Sequence, residues 1–418
     1  MGAFKQQHIA ELDGVRGVAC LSVLLAHCLV GVLHVSPGTP LFPFFEQTSL
    51  LVLLSGPPLQ FLLAGVDLFF VLSGFLIGGI LLDNRNSRNY FKAFWTRRIA
   101  RIFPVAYLLL ATYALALFVR SRFDLPQLDL WLLRQPAPPL WSYATFTQSI
   151  PMALTGYGPR WIGITWSLAI EEQFYVLFPL LVYFLSRRSI VITAAVAIVA
   201  TPIFRAIVTA RYGGIAAYVA LPCRMDSLML GALAAAIVRN ALALQIAKRL
   251  RFALDIVIVL IGFAIAYQVY PITSSYLRYS AIALMFALLI LRIFLYEPGP
   301  YHWFLRTKVL TGIGLISYAL YMYHQAVNGL MHGFIFNQEP HISTVAEMVV
   351  SFAVMAIAIA LATLSYVYFE RPIRRFAQRV SYSSKLSPGS SLTTTSGAAL
   401  GLPLARQRET AVHLAVRN

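Results

Sequence analysis

The chain reads as an all-α, polytopic membrane protein with about ten transmembrane helices. Three observations predict this. Of its 418 residues, 59% are hydrophobic and only 12% are charged, against about 25% charged in soluble domains. Apolar stretches of roughly 17–25 residues, the length needed to cross a hydrocarbon core about 30 Å thick, recur along the whole chain. The basic residues then divide unequally between alternate loops, as the positive-inside rule requires of a protein with this number of crossings. A mean hydropathy of +0.72 agrees.

The predicted spans lie near 16–36, 59–82, 102–120, 163–185, 189–210, 224–240, 252–270, 276–296, 310–334 and 345–369. The stretch 41–58 is also apolar, but Pro43, Gly56, Pro57 and Pro58 interrupt it, so it reads as an outside or re-entrant segment. With both termini cytoplasmic, Lys5 and the loops 83–101, 186–188, 239–251, 292–309 and 370–380 hold twenty of the 33 Lys/Arg. The opposite side and its span ends hold eight, Arg205 and Arg224 among them. One helix more or fewer would invert half of these loops and erase the bias.

The net charge of +17 is therefore mainly a topology signal. Nucleic-acid binding needs a basic face on a folded soluble domain, and the sequence shows none. Cys20, Cys28 and Cys223 lie in or beside spans and suggest neither a disulfide framework nor a metal site. The first span is too long for a signal-peptide core, is preceded by Glu11 and Asp13, and has no small-residue cleavage site after it. Residues 1–380 read as one transmembrane domain, and 381–418, rich in Ser, Thr, Gly and Leu, as a disordered cytoplasmic tail.

Ionisable residues inside spans are costly and so mark function. His27, Asp67, Glu171 and His324 are the four that stand out. At 1.5 Å per residue, His27 lies roughly 16 Å beyond Arg16, and Asp67 and Glu171 each lie roughly 12 Å from the outer side. Three of the four thus share a depth. Arg16 and His27 are eleven residues apart, which at about 100° per residue returns them to nearly one face. A cation at the mouth and a base three turns deeper suit a long substrate with an anionic head and a reactive tail, such as acyl-CoA. Taken singly, Arg16 fits a helix-end anchor equally well, and His27 a satisfied interior histidine. Arg98 and Arg101, three apart, share a face at the entry to the third span and suit bidentate phosphate contacts, though plain positive-inside anchoring explains them too. In Trp166–Tyr175, Glu172 points about 100° away from Glu171, so one of the two faces a cavity, while Trp166 and Tyr175 also fit an interfacial belt. Arg224 and Asp226 read as a local ion pair.

Together these segments resemble acyltransferase family 3, the integral-membrane O-acyltransferases of bacterial glycans. Glu11 to Gly17 with His27 is similar to the family's opening Arg-x10-His motif. Gly65 to Ile77, Arg98 to Pro104, Trp166 to Tyr175, Arg224-Met225-Asp226 with Gly231, Ser317 to His324, and Phe369-Glu370-Arg371-Pro372 resemble its later motifs, in family order over residues 8–376. The resemblance implies a ten-helix core taking acyl-CoA from the cytoplasm, with acetyl the expected acyl group, and acylating a carbohydrate such as exopolysaccharide or O-antigen on the far side of a bacterial inner membrane. His27 is the candidate general base, or else a transient acyl carrier, because a neutral imidazole suits taking a proton from a sugar hydroxyl, with Glu171, by depth, or else Asp67 as the carboxylate that orients it. Arg16, Arg98 and Arg101 would bind the donor phosphates, and Trp166, Ser167, Arg224, Asp226 and His324 the acceptor. No metal is expected. Because the chain ends soon after the closing motif, it is expected to be the stand-alone form. A macrolide-type glycoside remains an alternative acceptor. A glycan or lipid transporter is the alternative from another class, against which no inverted repeat is visible.

Overall fold

In the computed structural model, the described residues are 9–29 and 61–383, apart from 124, 130–132, 134, 135, 268, 270–273 and 275. The segment 41–58 and most of the expected tail, 384–418, lie outside them. The regular elements among the described residues are helices, with no strand. The long ones are α1 (Ala10–Cys28), α2 (Gly65–Asn84), α3 (Tyr90–Arg122), α4 (Trp166–Phe184), α5 (Arg187–Tyr212), α6 (Met225–Val238), α7 (Ala241–Arg249), α8 (Arg251–Ala266), α9 (Arg278–Leu295), α10 (Lys308–Phe336) and α11 (Val345–Ser365). A π-helical turn at Tyr366–Glu370 carries α11 into α12 (Arg371–Gln378).

Within the described residues, each of the ten predicted spans overlaps one of these helices; 30–36 of the first, 59–60 of the second, and 268 and 270 of the seventh lie outside them. Six helical stretches are long and apolar enough to cross a membrane: 61–84, 90–122, 160–184, 187–212, 278–295 and 345–378. A seventh is α6 with α7, if that pair, bent by 101°, counts as one span. The other three predicted spans fall short for visible reasons. Helix α1 carries Glu11, Asp13 and Arg16, α8 has only 16 residues, and α10 interrupts its apolar run with His324, Gln325, Asn328 and His332.

The outward faces confirm the solvent. Helix α5 exposes Val196, Val199, Ile203 and Ile207, and α8 exposes Ile256, Val259, Leu260 and Phe263. Surface helices of water-soluble proteins carry polar residues there. The chain is an integral membrane protein.

Two helix pairs set the frame of the site. Helices α1 and α10 touch backbone to backbone: a Cβ on Gly314 would lie 2.0 Å from the carbonyl oxygen of Asp13. Helices α2 and α6 do the same at Gly231, where a Cβ would lie 1.9 Å from the carbonyl oxygen of Val71. Hydrocarbon supplies no hydrophobic drive between helices, so close packing through small residues does the work. These contacts fix the rotation of α1 and α2 and hence where His27 and Asp67 point. Helix α11 starts on a capping box, Thr344 with Glu347. Beyond α12 the chain is tied back to α3: Arg97 Nε donates to the Val380 carbonyl at 3.0 Å, and Asn89 bonds Ser381 and Ser383. The first three residues of the expected tail thus belong to the folded part.

Candidate active site

Helices α1, α2, α4 and α10 surround two adjoining cavities. The first, about 90 Å³, is lined by Arg16, Arg98, Arg101, Ser73, Glu171 and Tyr175, with Ser167 and Tyr318. The second, about 610 Å³, is lined by His27, Asp67, Arg160, Trp166, Tyr218 and Gln325, among others. Val66 and Tyr321 line both. The Tyr321 hydroxyl is held there, 2.8 Å from Ser167 Oγ and 3.1 Å from the Ile164 carbonyl oxygen.

The three arginines expected to act together do meet, at one end of the bundle. Arg16 is ion-paired with Asp13 one turn before it. Arg98 lies over the rings of Phe94 and Tyr175, 5.8 and 5.3 Å from their centres. Neither Arg98 nor Arg101 has a carboxylate ion pair among the described residues. Their guanidinium groups are planar, multi-donor forks that match phosphate oxygens. Glu171 sits in this cavity, accepting a hydrogen bond from the Tyr175 hydroxyl at 3.2 Å, and Tyr175 bonds Ser73 in turn. Glu172, as the helix angle requires, does not line it.

His27 lies at the other end of α1 and lines the wide cavity, half-buried. The expectation that Glu171 or Asp67 partners it is corrected here. Its Nδ1 lies 2.9 Å from Nε2 of His324. The two rings are parallel within 5°, with centres 5.2 Å apart. Equal depth does not bring Glu171 to His27, because α4 turns that carboxylate toward the arginines. Asp67 lines the same cavity as His27, but its carboxylate is 3.0 Å from Arg224 Nη2, deep between helices.

The expected local pair of Arg224 and Asp226 is also corrected. Asp226 pairs with Arg205 at 2.6 Å, and accepts from Ser280 Oγ at 2.5 Å. Arg205, counted in the sequence among the outer span ends, is fully buried, and it donates to the carbonyls of Cys223 and Tyr276 as well. Arg224 is caged by aromatic rings, 4.4 Å from the centre of Tyr279 and 4.7 Å from that of Tyr218. Neither residue is placed to touch an acceptor directly. Of the other residues expected on the acceptor side, Trp166 lines the wide cavity, Ser167 the narrow one, and His324 lies behind His27 with 1% exposure. Trp166 and Tyr175 are both buried, not interfacial.

Sequence reasoning missed Tyr157, Tyr218 and Tyr279, whose rings line the wide cavity. No spacing marks them. It also missed the role of Tyr321, three residues before His324 on the same face, a signal that was available. Among the described residues there is no cluster of three or more His, Cys, Asp or Glu that could hold a metal.

Comparison with known families bears on this arrangement directly. A family model described as "Acyltransferase domain" matches residues 9–367, which include every residue named in the two cavities. The chain belongs to this acyltransferase family. Among its relatives, O-acetyltransferase OatA of Staphylococcus aureus (strain NCTC 8325 / PS 47) is 25% identical over 389 residues, covering 89% of this chain and 58% of the relative. Putative O-acetyltransferase SACOL0978 of S. aureus (strain COL) is 26% identical over 406 residues, with the same coverage. The chain thus spans 58% of the length of these curated relatives. No solved structure matches. The comparison gives the family, and the cavities show which groups this member places together.

Proposed function

We propose that the protein transfers an acetyl group from acetyl-CoA to a hydroxyl of an envelope carbohydrate, across a bacterial cytoplasmic membrane. One observation carries this reading. A single helix, α1, delivers an arginine to a narrow, arginine-lined cavity and a histidine to a wide, aromatic-lined one, and the two cavities share a wall. The residues are eleven apart, roughly 16 Å along the helix. CoA has the matching shape: phosphates at one end, a thin pantetheine arm, and a thioester at the tip. Arg16, Arg98 and Arg101 hold the phosphates, and the arm runs past Val66 and Tyr321 to His27.

The wide cavity suits a sugar, because aromatic faces such as Trp166 and Tyr218 pack against its apolar C–H surface. His27 takes the proton of the acceptor hydroxyl as that oxygen attacks the thioester carbonyl. The carbon–sulfur bond breaks, and the CoA thiolate leaves with the proton that His27 returns. In this reading all ten apolar helices cross the bilayer, and both termini and the arginine-lined end face the cytoplasm.

The test uses membranes containing the protein and their own glycans, supplied with acetyl-CoA labelled in the acetyl group. The expected result is release of CoA thiol with label recovered as alkali-labile acetate on glycan, and loss of both in His27→Ala. A transporter would release no thiol, and full activity in a folded His27→Ala protein would remove His27 from the mechanism.

A further inference from the structure

The structure assigns His324 as the positioning residue that fixes the tautomer of His27 and shares its charge during proton transfer. This rests on the proposed role of His27 as base. The argument begins at the ring nitrogen of His324 that faces away from His27. His324 Nδ1 lies 2.7 Å from the Tyr321 carbonyl oxygen and 3.2 Å from that of Leu320. A carbonyl oxygen only accepts, so Nδ1 of His324 carries the hydrogen. In a neutral imidazole the other nitrogen then has a bare lone pair. That nitrogen, Nε2, is the one 2.9 Å from His27 Nδ1. His27 must therefore donate from Nδ1, which leaves its own Nε2 unprotonated. A hydrogen bond at one imidazole nitrogen decides the state of the other. Here the decision runs through two rings, from a backbone carbonyl of α10 to the base on α1.

The geometry supports an in-plane N–H···N bond. The rings are nearly coplanar, and their centre separation of 5.2 Å is the nitrogen–nitrogen distance extended by the ring radius at each end. His324 is buried, so water does not compete for this bond. The backbone is held as well: Asn328 Nδ2 donates to the His27 carbonyl at 3.3 Å, one turn along α10 from His324. Close contact at Gly314 keeps α10 in place. His27 Nε2 has no hydrogen-bond partner among the described residues, and the ring lines the wide cavity.

The consequence for the reaction is specific. The acceptor hydroxyl gives its proton to Nε2 of His27, whose ring becomes cationic. The Nδ1–H bond to His324 then strengthens and spreads the charge, while the hydrogen on His324 Nδ1 stays on that nitrogen and keeps donating to the Tyr321 carbonyl oxygen. When the carbon–sulfur bond breaks, the thiolate takes the proton from His27 Nε2, and both rings return to their starting state. His324 thus does for His27 what a carboxylate does in a Ser-His-Asp triad, but without bringing a negative charge into the membrane.

The experiment has two independent arms. In the first, purified full-length protein labelled with 15N-histidine is examined by NMR without substrate. His27, assigned by its loss in His27→Ala, is expected as the tautomer protonated at Nδ1. In His324→Ala it is expected to revert toward the mixture or to the Nε2-protonated form. A wild-type His27 protonated at Nε2 overturns the assignment, whatever the enzyme's activity. In the second arm, CoA release from acetyl-CoA is followed in membranes carrying their own glycans. His324→Ala is expected to lower kcat by about 10²- to 10⁴-fold with KM for acetyl-CoA unchanged. His324→Glu, which restores an acceptor for Nδ1–H, is expected to recover roughly tenfold of that loss. A folded His324→Ala protein with unaltered kcat overturns the proposal, as does a His324→Glu protein no better than His324→Ala. Absence of CoA release from wild type would instead defeat the acetyl-CoA reading and leave the NMR arm to decide the pairing.

Discussion

Two groups of arginines occupy this molecule, and they are alike in sequence but opposite in structure. Arg205 and Arg224 are fully buried, each with its guanidinium on an aspartate and over tyrosine rings. Arg98 and Arg101 line a cavity without an aspartate or glutamate ion pair among the described residues, and Arg16, in the same cavity, has only its helical neighbour Asp13. The first group is committed to the protein. The second presents its donors to whatever enters. An arginine's surroundings, rather than its place in a motif, therefore say whether it holds helices together or holds a ligand.

The sharpest way to break this comparison is to remove a committed arginine. Arg224→Ala leaves Asp67 as an uncompensated buried charge, and breaking such a pair costs about 3–5 kcal/mol. The expected outcome is a large fall in thermal unfolding temperature in detergent, with activity lost because the fold is lost. Replacing both partners by leucine should recover much of the stability. A folded, stable Arg224→Ala protein with impaired acceptor use would move Arg224 into the second group.

A smaller effect is expected from the cavity arginines. Arg98→Ala or Arg101→Ala removes a charge-assisted hydrogen bond worth about 1.5–3 kcal/mol, so KM for acetyl-CoA should rise roughly 10- to 150-fold with the unfolding temperature nearly unchanged. Steady-state kinetics with varied donor checks this. Arg98→Lys keeps the charge but loses the planar fork, and should fall between wild type and Arg98→Ala in the same assay. The smallest change expected is in Ser167→Ala. It frees the Tyr321 hydroxyl from one neutral hydrogen bond, worth about 0.5–1.5 kcal/mol, and should lower kcat by about tenfold or less while leaving donor KM alone.

Much of this was legible in the sequence. Apolar runs located the helices. The spacing of Arg16 to His27 put both on α1 facing the interior, and Arg98 and Arg101, expected at the entry to the third span, line one cavity from within α3. What sequence did not reveal was helix rotation. Depth along the bilayer normal follows from counting residues, and it put His27, Asp67 and Glu171 on one level. Which of them meet depends on azimuth, and azimuth is set by contacts such as Gly314 on Asp13 and Gly231 on Val71. The first of these contacts holds α10 so that His324 meets His27, while Glu171 is carried on α4 into the arginine-lined cavity. The same limit hid the ion pairs. Asp226 lies two residues from Arg224, but its partner is Arg205 on another helix, and proximity in the chain pointed to the wrong one.

The partition formed by Val66 and Tyr321 matters beyond the chemistry. An energised bilayer stores work in its ion gradients, and any continuous column of water through a protein would let protons run down them. In the proposed orientation the two hollows open on opposite faces, and the tyrosine they share, pinned by Ser167 and the Ile164 carbonyl, would keep the membrane electrically tight. Only a slender arm delivering a two-carbon unit would need to pass that point. Insulation and catalysis would then be served by the same side chain.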